Sequence, residues 1–158
     1  MICCKETSNQ FFEIRFYDSP DSLIKIRKSN LTVNTANDHI EYTYKDVLVP
    51  ESVCIRQNRY YDSILRYHNI DIPLIDSKDF FVGTQTVQIR KYQYDLLNSL
   101  DEEESIYFLD NYGIIAIRLN AWGYHYIFDN GDTNTRKLID LILKDTTGFY
   151  GYPKPTKK

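Results

Sequence analysis

The segment IYFLDNYGIIAIRLNAWGYHYIF, residues 106–128, carries the clearest structural signal in the chain. Three runs rich in β-branched and aromatic residues (106–109, 114–119 and 124–128) are separated by two short connections, each of which ends in glycine. Short glycine-containing connections between such runs are typical of β-hairpins. This segment therefore predicts a three-stranded antiparallel meander.

The first third of the chain also predicts strands. Apolar residues alternate with polar ones over residues 12–17 and again over 24–27, on either side of the turn-forming sequence at 18–21. A period of two is the pattern of a half-buried strand, and Asp, Ser and Pro favour turns. We therefore expect a hairpin here, with two further strands at 31–33 and 40–44.

Three segments predict helices. Tyr61, Ile64, Leu65 and His68 recur at the spacing of one helical face, which indicates a short helix over 61–68. A second helix is expected over 94–104. A third is expected over 133–144, with Asp132 or Thr133 as its N-cap. Its inward face is expected to consist of Leu138, Leu141 and Ile142.

These elements predict an α+β fold. The expected architecture is an antiparallel sheet of about five to seven strands, with about three helices packed on one side of it. Residues 74–84 are expected to form a loop, and 86–89 a short strand. Residues 1–148 are expected to form a single globular domain, and 149–158 a partly disordered C-terminal tail rich in Gly, Pro and Lys.

Composition indicates a cytoplasmic location. The chain has 158 residues and a net charge of −3, and no apolar run approaches the roughly 20 residues of a membrane span. The N-terminus lacks the apolar core of a signal peptide. The number of cysteines is odd, and Cys3 is adjacent to Cys4, so free thiols in a reducing compartment are the simpler interpretation.

Motifs for common enzyme chemistry are missing from the sequence. His39, His68 and His125 are far apart in the sequence, and no phosphate-binding glycine loop or nucleophile elbow occurs. Cys54 with His68 or His125 would be the one candidate pair for nucleophilic catalysis, but a single Cys between Val53 and Ile55 is typical of a small buried residue. We therefore expect no catalysis, no metal and no cofactor, and we expect His125 to face the solvent beside Arg118.

An acidic and aromatic segment stands out between Tyr92 and Ile117. It contains six carboxylates and four tyrosines but no Lys or Arg, so its local charge of about −6 exceeds that of the whole chain. Such a surface repels nucleic acid and anionic membranes and attracts a basic protein. The alternative is a solvated helix end that only keeps the protein soluble. As a docking face it would use Asp101, Glu102, Glu103, Glu104, Tyr107, Asp110, Tyr112 and Trp122.

The function expected from these features is binding without catalysis. Small size, acidic character and many aromatic residues are typical of a bacterial immunity protein, which neutralises a basic toxin such as a nuclease by covering its active site. One alternative is a phage or mobile-element protein that blocks a host defence factor. A second alternative is an enzyme of an unfamiliar family that uses Cys54 and His125. Antiparallel edge strands leave both a monomer and a homodimer open.

Overall fold

A computed structural model describes residues 6–19, 22–45, 52–95 and 103–151 of the chain. In these ranges the chain forms ten strands and one helix. The elements are β1 (Glu6–Ser19), β2 (Ser22–Thr35), β3 (His39–Tyr44), β4 (Val53–Asn58), β5 (Ile64–Tyr67), β6 (Ile70–Val82), β7 (Gln85–Tyr94), β8 (Glu104–Leu109), β9 (Gly113–Leu119), β10 (Tyr124–Asp129) and α1 (Thr133–Leu143).

The ten strands form one closed antiparallel barrel. Each strand pairs with its neighbours in sequence, and β1 pairs with β10 through Glu13–Tyr17 and His125–Asp129 to close the sheet. Because the strands alternate in direction, β1, β3, β5, β7 and β9 all finish at the same end. We call this end the upper end, and the opposite one the lower end.

The barrel interior is filled by large side chains. Every strand contributes at least one buried apolar residue to a single interior cluster. Tyrosine and phenylalanine rings meet edge to face there, as in the pair Tyr42 and Phe108, whose ring centroids are 5.4 Å apart. The cluster consists of Phe12, Ile14, Leu31, Tyr42, Tyr44, Val53, Ile55, Leu65, Tyr67, Ile72, Tyr92, Ile106, Phe108, Ile114, Ile117 and Phe128.

A second apolar cluster covers part of the outer surface. Strands β6 to β10 carry apolar residues on both faces, and α1 together with Phe149 and Tyr150 packs over the outer one. A bulge between β8 and β9 contributes to this two-sided burial, since Ile115 is an extra residue between the pairs of Tyr107 with Ala116 and Phe108 with Ile114. The meander predicted from residues 106–128 is confirmed.

Helix α1 also confirms a prediction. Asp132 is its N-cap, and the Asp132 carboxylate accepts hydrogen bonds from the backbone N–H groups of Asn134 and Thr135. Its buried face contains Leu138 and Ile142 as expected. Ile139, however, is buried where Leu141 was expected, and Leu141 is 39% exposed. In the described ranges, no helix is long and apolar enough to cross a membrane.

The predicted α+β class is wrong, because the described ranges are nearly all sheet. The helix expected over 61–68 is replaced by β5, in which Leu65 and Tyr67 point inward while Ile64 and Arg66 are exposed. The turn that follows uses His68 and Asn69 with φ angles of 47° and 68°. Left-handed residues at both positions form the tight turn of a two-residue hairpin, which ends any helical pattern.

Two further predictions from the middle of the chain are corrected. The loop expected over 74–84 lies largely within β6, which is 13 residues long. Pro73 is tolerated in this strand because pairing with β5 ends there and pairing with β7 begins at Leu74. The ends of the helix expected over 94–104 belong to β7 and β8, and residues 96–102 lie outside the described ranges.

Gly113, the first residue of β9, lies close to tyrosine side chains of the barrel interior. Its φ of +99° suits glycine, and a Cβ at this position would clash with the Tyr44 hydroxyl oxygen and lie 3.0 Å from the Tyr42 ring. The same hydroxyl accepts a hydrogen bond of 2.7 Å from the backbone N–H of Ile114. Glycine here therefore lets a buried tyrosine bind the backbone directly.

We expect Gly113→Ala to lower the free energy of unfolding by about 3 kcal/mol, because it combines backbone strain with displacement of the Tyr44 side chain. Gly83→Ala is the matched control, since Gly83 has a φ of +64° but open space around it, and it should cost about 1 kcal/mol. Urea unfolding measured by intrinsic fluorescence compares the two. Equal losses would show that the Tyr44 contact is not what requires glycine.

Candidate functional site

Part of the predicted docking face comes together at the upper end of the barrel. Glu104 opens β8 and pairs with Leu119 at the end of β9. The backbone N–H of Asn120 donates to the Glu103 carbonyl at 2.9 Å, so the β9–β10 turn that carries Trp122 lies beside both glutamates. Glu103, Glu104 and Trp122 are thus neighbours, although up to 19 positions separate them in the sequence.

An aromatic stack extends from this turn towards the barrel mouth. The Trp122 and Tyr124 rings are 6.4 Å apart and nearly parallel, at an interplanar angle of 15°. Tyr124 in turn meets Phe16 of β1 at 5.3 Å, and Phe16 meets Tyr126 at 4.9 Å. Trp122 remains 58% exposed. We call the group of Phe16, Glu103, Glu104, Trp122 and Tyr124 the rim.

The two glutamates of the rim differ in their surroundings. Glu103 is exposed, whereas Glu104 is half-buried and accepts a hydrogen bond of 3.2 Å from the Tyr67 hydroxyl. Burial, followed by the nearby Glu104 charge, raises the pKa of Tyr67, so this hydroxyl keeps its proton at neutral pH. Glu104 therefore belongs partly to the barrel structure, and Glu103 is the carboxylate of the rim that faces the solvent.

Strand β2 adds exposed apolar residues at the same end. Leu23, Ile24 and Ile26 are 47%, 55% and 50% exposed. Leu23 pairs with Tyr17 of β1, one residue from Phe16 of the rim. Several large apolar side chains exposed near each other on a strand typically indicate an interaction surface.

Tyr107 does not contribute to the rim. Its side chain is fully buried on the outer face of β8, beneath the segment that contains Phe149 and Tyr150. The Tyr107 hydroxyl donates to the Phe149 carbonyl at 3.0 Å. Tyr107 therefore serves the second apolar cluster, and a partner would not reach it without displacing this segment.

Asp110 and Tyr112 lie at the lower end of the barrel, away from the rim. Asp110 accepts hydrogen bonds from the side chains of Gln57 and Arg90. Tyr112 packs against Phe12 and donates its hydroxyl hydrogen to the Phe128 carbonyl at 2.6 Å. Both residues therefore close the lower end of the barrel. Asp101 and Glu102 lie outside the described ranges.

Cys54 and His125 do not converge in a catalytic arrangement. Cys54 lies on β4 and His125 on β10, four strand spacings apart around the barrel, or roughly 19 Å along the sheet. Burial, followed by the Glu41 charge, raises the pKa of the Cys54 thiol, which disfavours the thiolate. Among the described residues, no three His, Cys, Asp or Glu side chains are placed to hold a metal ion.

His125 faces outward as expected, but it is buried instead of solvated. Only 4% of its surface is exposed, and its Nδ1 lies 2.7 Å from the hydroxyl oxygen of Tyr150. Arg118 donates to the Tyr150 carbonyl from the neighbouring strand. Together these contacts hold the segment after α1 against the sheet.

The residues that the sequence did not identify are Phe16, Tyr124 and the apolar residues of β2. Their alternating pattern predicted strands correctly, but it gave no reason to place β1 beside β10. The pairing of β1 with β10, in which Phe16 lies opposite Tyr126, is what brings these residues together.

The fold and the rim define a small antiparallel barrel with a filled interior and an exposed aromatic stack at one end. Comparison with known proteins finds no matching family model, no similar curated protein and no similar solved structure.

The burial of His125 predicts an acid-sensitive fold. Desolvation, followed by the nearby Arg118 charge, lowers the pKa of His125 to about 4, below its ordinary value of about 6.5. Between these values the unfolded chain binds a proton that the folded protein does not. We therefore expect about 2 kcal/mol of stability to be lost as the pH falls from 6.5 to 4.

Unfolding free energies across this pH range test the assignment. His125→Asn should remove part of the slope, even where it lowers stability overall. His68→Asn is the matched histidine control, because His68 is exposed in a left-handed turn that Asn tolerates. An unchanged slope in His125→Asn would show that another group causes the acid sensitivity.

Proposed function

We propose that the protein binds another protein through the rim and has no catalytic activity of its own. The type that fits best is a small cytoplasmic inhibitor, such as an immunity protein that covers the active site of a basic toxin. The observation that carries the proposal is the exposed stack of Trp122 on Tyr124, backed by Phe16 and placed beside Glu103.

The stack has the properties of a binding anchor. Trp and Tyr are enriched among the residues that contribute most to protein–protein binding. Trp122 is exposed, but its contact with Tyr124 already restricts its orientation. Restriction before binding reduces the entropy that is lost on association, so more of the contact energy appears as affinity.

Charge near the stack favours a basic partner. The sequence places four carboxylates in a row at 101–104, and Glu103, the third of them, is exposed beside the β9–β10 turn. Carboxylates at the edge of an interface accelerate encounter with a basic surface. Lys25 and Arg27 lie on β2 at the same end of the barrel. The negative charge at this end is therefore concentrated near β8.

The docking face proposed now differs in composition from the one expected from the sequence. Tyr107, Asp110 and Tyr112 are not part of it, since their side chains hold the barrel and the C-terminal segment together. Phe16, Tyr124 and the exposed aliphatic residues of β2 take their place.

A phage or mobile-element protein that blocks a host defence factor would bind its partner through the same rim. The identity of the partner therefore distinguishes this alternative from an immunity protein. The neighbouring gene products should be co-expressed with the tagged protein and eluted from it with a salt gradient. A stoichiometric basic toxin supports the immunity type, and a host defence factor supports the alternative. Retention that does not depend on salt would argue against steering by carboxylates.

Variants of the rim test the binding surface once a partner is in hand. We expect Trp122→Ala to weaken binding by 10- to 100-fold, about 2 kcal/mol, mainly through faster dissociation. Phe81→Ala is the matched control, because Phe81 is a 73% exposed aromatic residue near the lower end of the barrel. Surface plasmon resonance gives both rate constants, and equal effects of the two variants would remove the rim from the proposal.

Reversal of one charge tests the role of Glu103. We expect Glu103→Lys to slow association several-fold at low salt and to reduce the dependence of the association rate on ionic strength. Asp79→Lys, on the exposed face of β6, makes the same change in net charge elsewhere and should have a much smaller effect. A similar effect of both variants would mean that only the net charge matters.

A further inference from the structure

A row of four charged side chains crosses the outer face of the barrel from β3 to β6. The register places Glu41 opposite Arg56, Arg56 opposite Arg66, and Arg66 opposite Asp71. The order of charges along the row is therefore negative, positive, positive, negative. The two arginines occupy its centre, and their side chains are 45% and 46% exposed.

Adjacent arginines on paired strands need an explanation. Like charges directly opposite each other on an antiparallel pair are destabilising. Each guanidinium is balanced from its outer side, since Arg56 Nη2 lies 3.0 Å from Glu41 Oε2 and Arg66 Nε lies 2.8 Å from Asp71 Oδ1. Neither carboxylate lies between the two arginines, so an anion at the centre of the row would reduce the remaining repulsion.

Both arginines have hydrogen-bond donors without a partner among the described residues. A guanidinium carries five N–H donors. Arg56 uses Nη2 for Glu41, whereas Arg66 uses Nε and Nη2 for the two oxygens of Asp71. The other donors of the two side chains can therefore bind a shared oxyanion.

The arginine pair lines a cleft of about 230 Å³. His39, Asn58 and Tyr61 also line it and supply further polar groups. Asn58 Oδ1 accepts a hydrogen bond of 2.8 Å from the backbone N–H of Tyr60, which leaves the Asn58 amide hydrogens as donors. Arg56, Arg66 and Asn58 thus present hydrogen-bond donors on one concave surface.

The β4–β5 connection beside the cleft is hydrogen-bonded to the β2–β3 turn. The Tyr60 hydroxyl donates to the Asn37 carbonyl at 3.2 Å, and Arg59 Nη1 donates to the Ala36 carbonyl at 3.2 Å. The backbone N–H of Arg59 also donates to the Asp38 carbonyl at 2.9 Å. These bonds tie the β4–β5 connection to the β2–β3 turn, so the cleft is formed before any ligand binds.

We propose that this cleft binds a small phosphate monoester, with its phosphoryl oxygens between Arg56 and Arg66. A phosphate group fits better than a single carboxylate, because its tetrahedral oxygens can meet two guanidiniums and its charge approaches −2 at neutral pH. Asp38 and Asp71 also line the cleft. Their carboxylates accept hydrogen bonds, which suits hydroxyl groups on the organic part of the ligand.

The site is independent of the rim. His39 begins β3, Asn58 ends β4, and Tyr61 follows β4, so the cleft lies at the lower end of the barrel, whereas the rim lies at the upper end. Failure of one proposal therefore leaves the other unaffected.

An NMR titration of the backbone amides with inorganic phosphate and with glycerol 3-phosphate tests the proposal. The ionic strength should be held constant with chloride, because salt screens exposed charges. We expect saturable shifts confined to the residues around positions 39, 56–58, 61 and 66, with a Kd of about 1 mM for phosphate. Glycerol 3-phosphate should bind more tightly than inorganic phosphate, because the Asp38 and Asp71 carboxylates can accept hydrogen bonds from its hydroxyl groups, and weaker binding would overturn the assignment of a phosphate monoester.

Two loss variants and a control locate the binding. Arg56→Gln and Arg66→Gln should each weaken phosphate binding by at least ten-fold. Lys137→Gln removes one positive charge from the exposed side of α1 and should leave the affinity unchanged. Amide spectra recorded without phosphate establish that each variant is folded.

Asp71→Asn is expected to strengthen phosphate binding, which an unfolded variant could not do. Removing this carboxylate frees the Arg66 guanidinium and takes a negative charge from the cleft, so phosphate should bind several-fold more tightly. Shifts that do not saturate, or that persist equally in both arginine variants, would overturn the proposal. Weaker binding in Asp71→Asn would also overturn it, because removing a negative charge beside Arg66 should not weaken an anion site formed by the two arginines.

Discussion

The pairing of β1 with β10 is the contact on which the rest of the structure depends, because it turns an open series of hairpins into a closed sheet. The buried Asp129 carboxylate stabilises this junction. Its Oδ2 lies 2.8 Å from Arg15 of β1 and 3.0 Å from Arg136 of α1, and its Oδ1 accepts a hydrogen bond from the backbone N–H of Gly131. One carboxylate thus joins the first strand, the last strand and the helix. A buried charge without such partners would be costly, so the three elements support each other.

Closure also determines where function can reside. The interior contains large aromatic and aliphatic side chains from all ten strands, and Asp110 with Arg90 lies at the lower end. The outer face of β6 to β10 is covered by α1 and by Phe149 and Tyr150. Accessible polar and aromatic groups are present at the upper rim and along the outer face of β3 to β6. Binding at these surfaces, as proposed above, needs no opening of the core.

The sequence predicted local hairpins well and the global architecture poorly, for a physical reason. Residues 106–128 and the hairpin at 18–21 were correct because turn chemistry and strand alternation are local. The helix expected over 61–68 was wrong because the segment is short. Apolar residues at helical spacing can also occur in a hairpin where some side chains are buried and others are exposed. The docking residues were likewise predictable only where contacts between neighbouring strands bring them together. Glu103 and Trp122 come together through one hairpin, whereas the contribution of Phe16 depends on a pairing between strands more than 100 residues apart, which no local pattern encodes.

Burial, more than charge, separates the acidic residues that can recognise a partner from those that hold the fold. Asp129 and Asp145 are almost fully buried and bind cations from other elements, as Asp145 does with Lys78. Asp110 and Glu104 are intermediate cases, because each accepts a hydrogen bond from a group of the barrel interior. Glu103 has an exposed side chain, and its backbone carbonyl accepts a hydrogen bond from the backbone N–H of Asn120. A carboxylate of this kind keeps its hydration until a partner arrives, so it can attract a basic surface at a distance without destabilising the free protein.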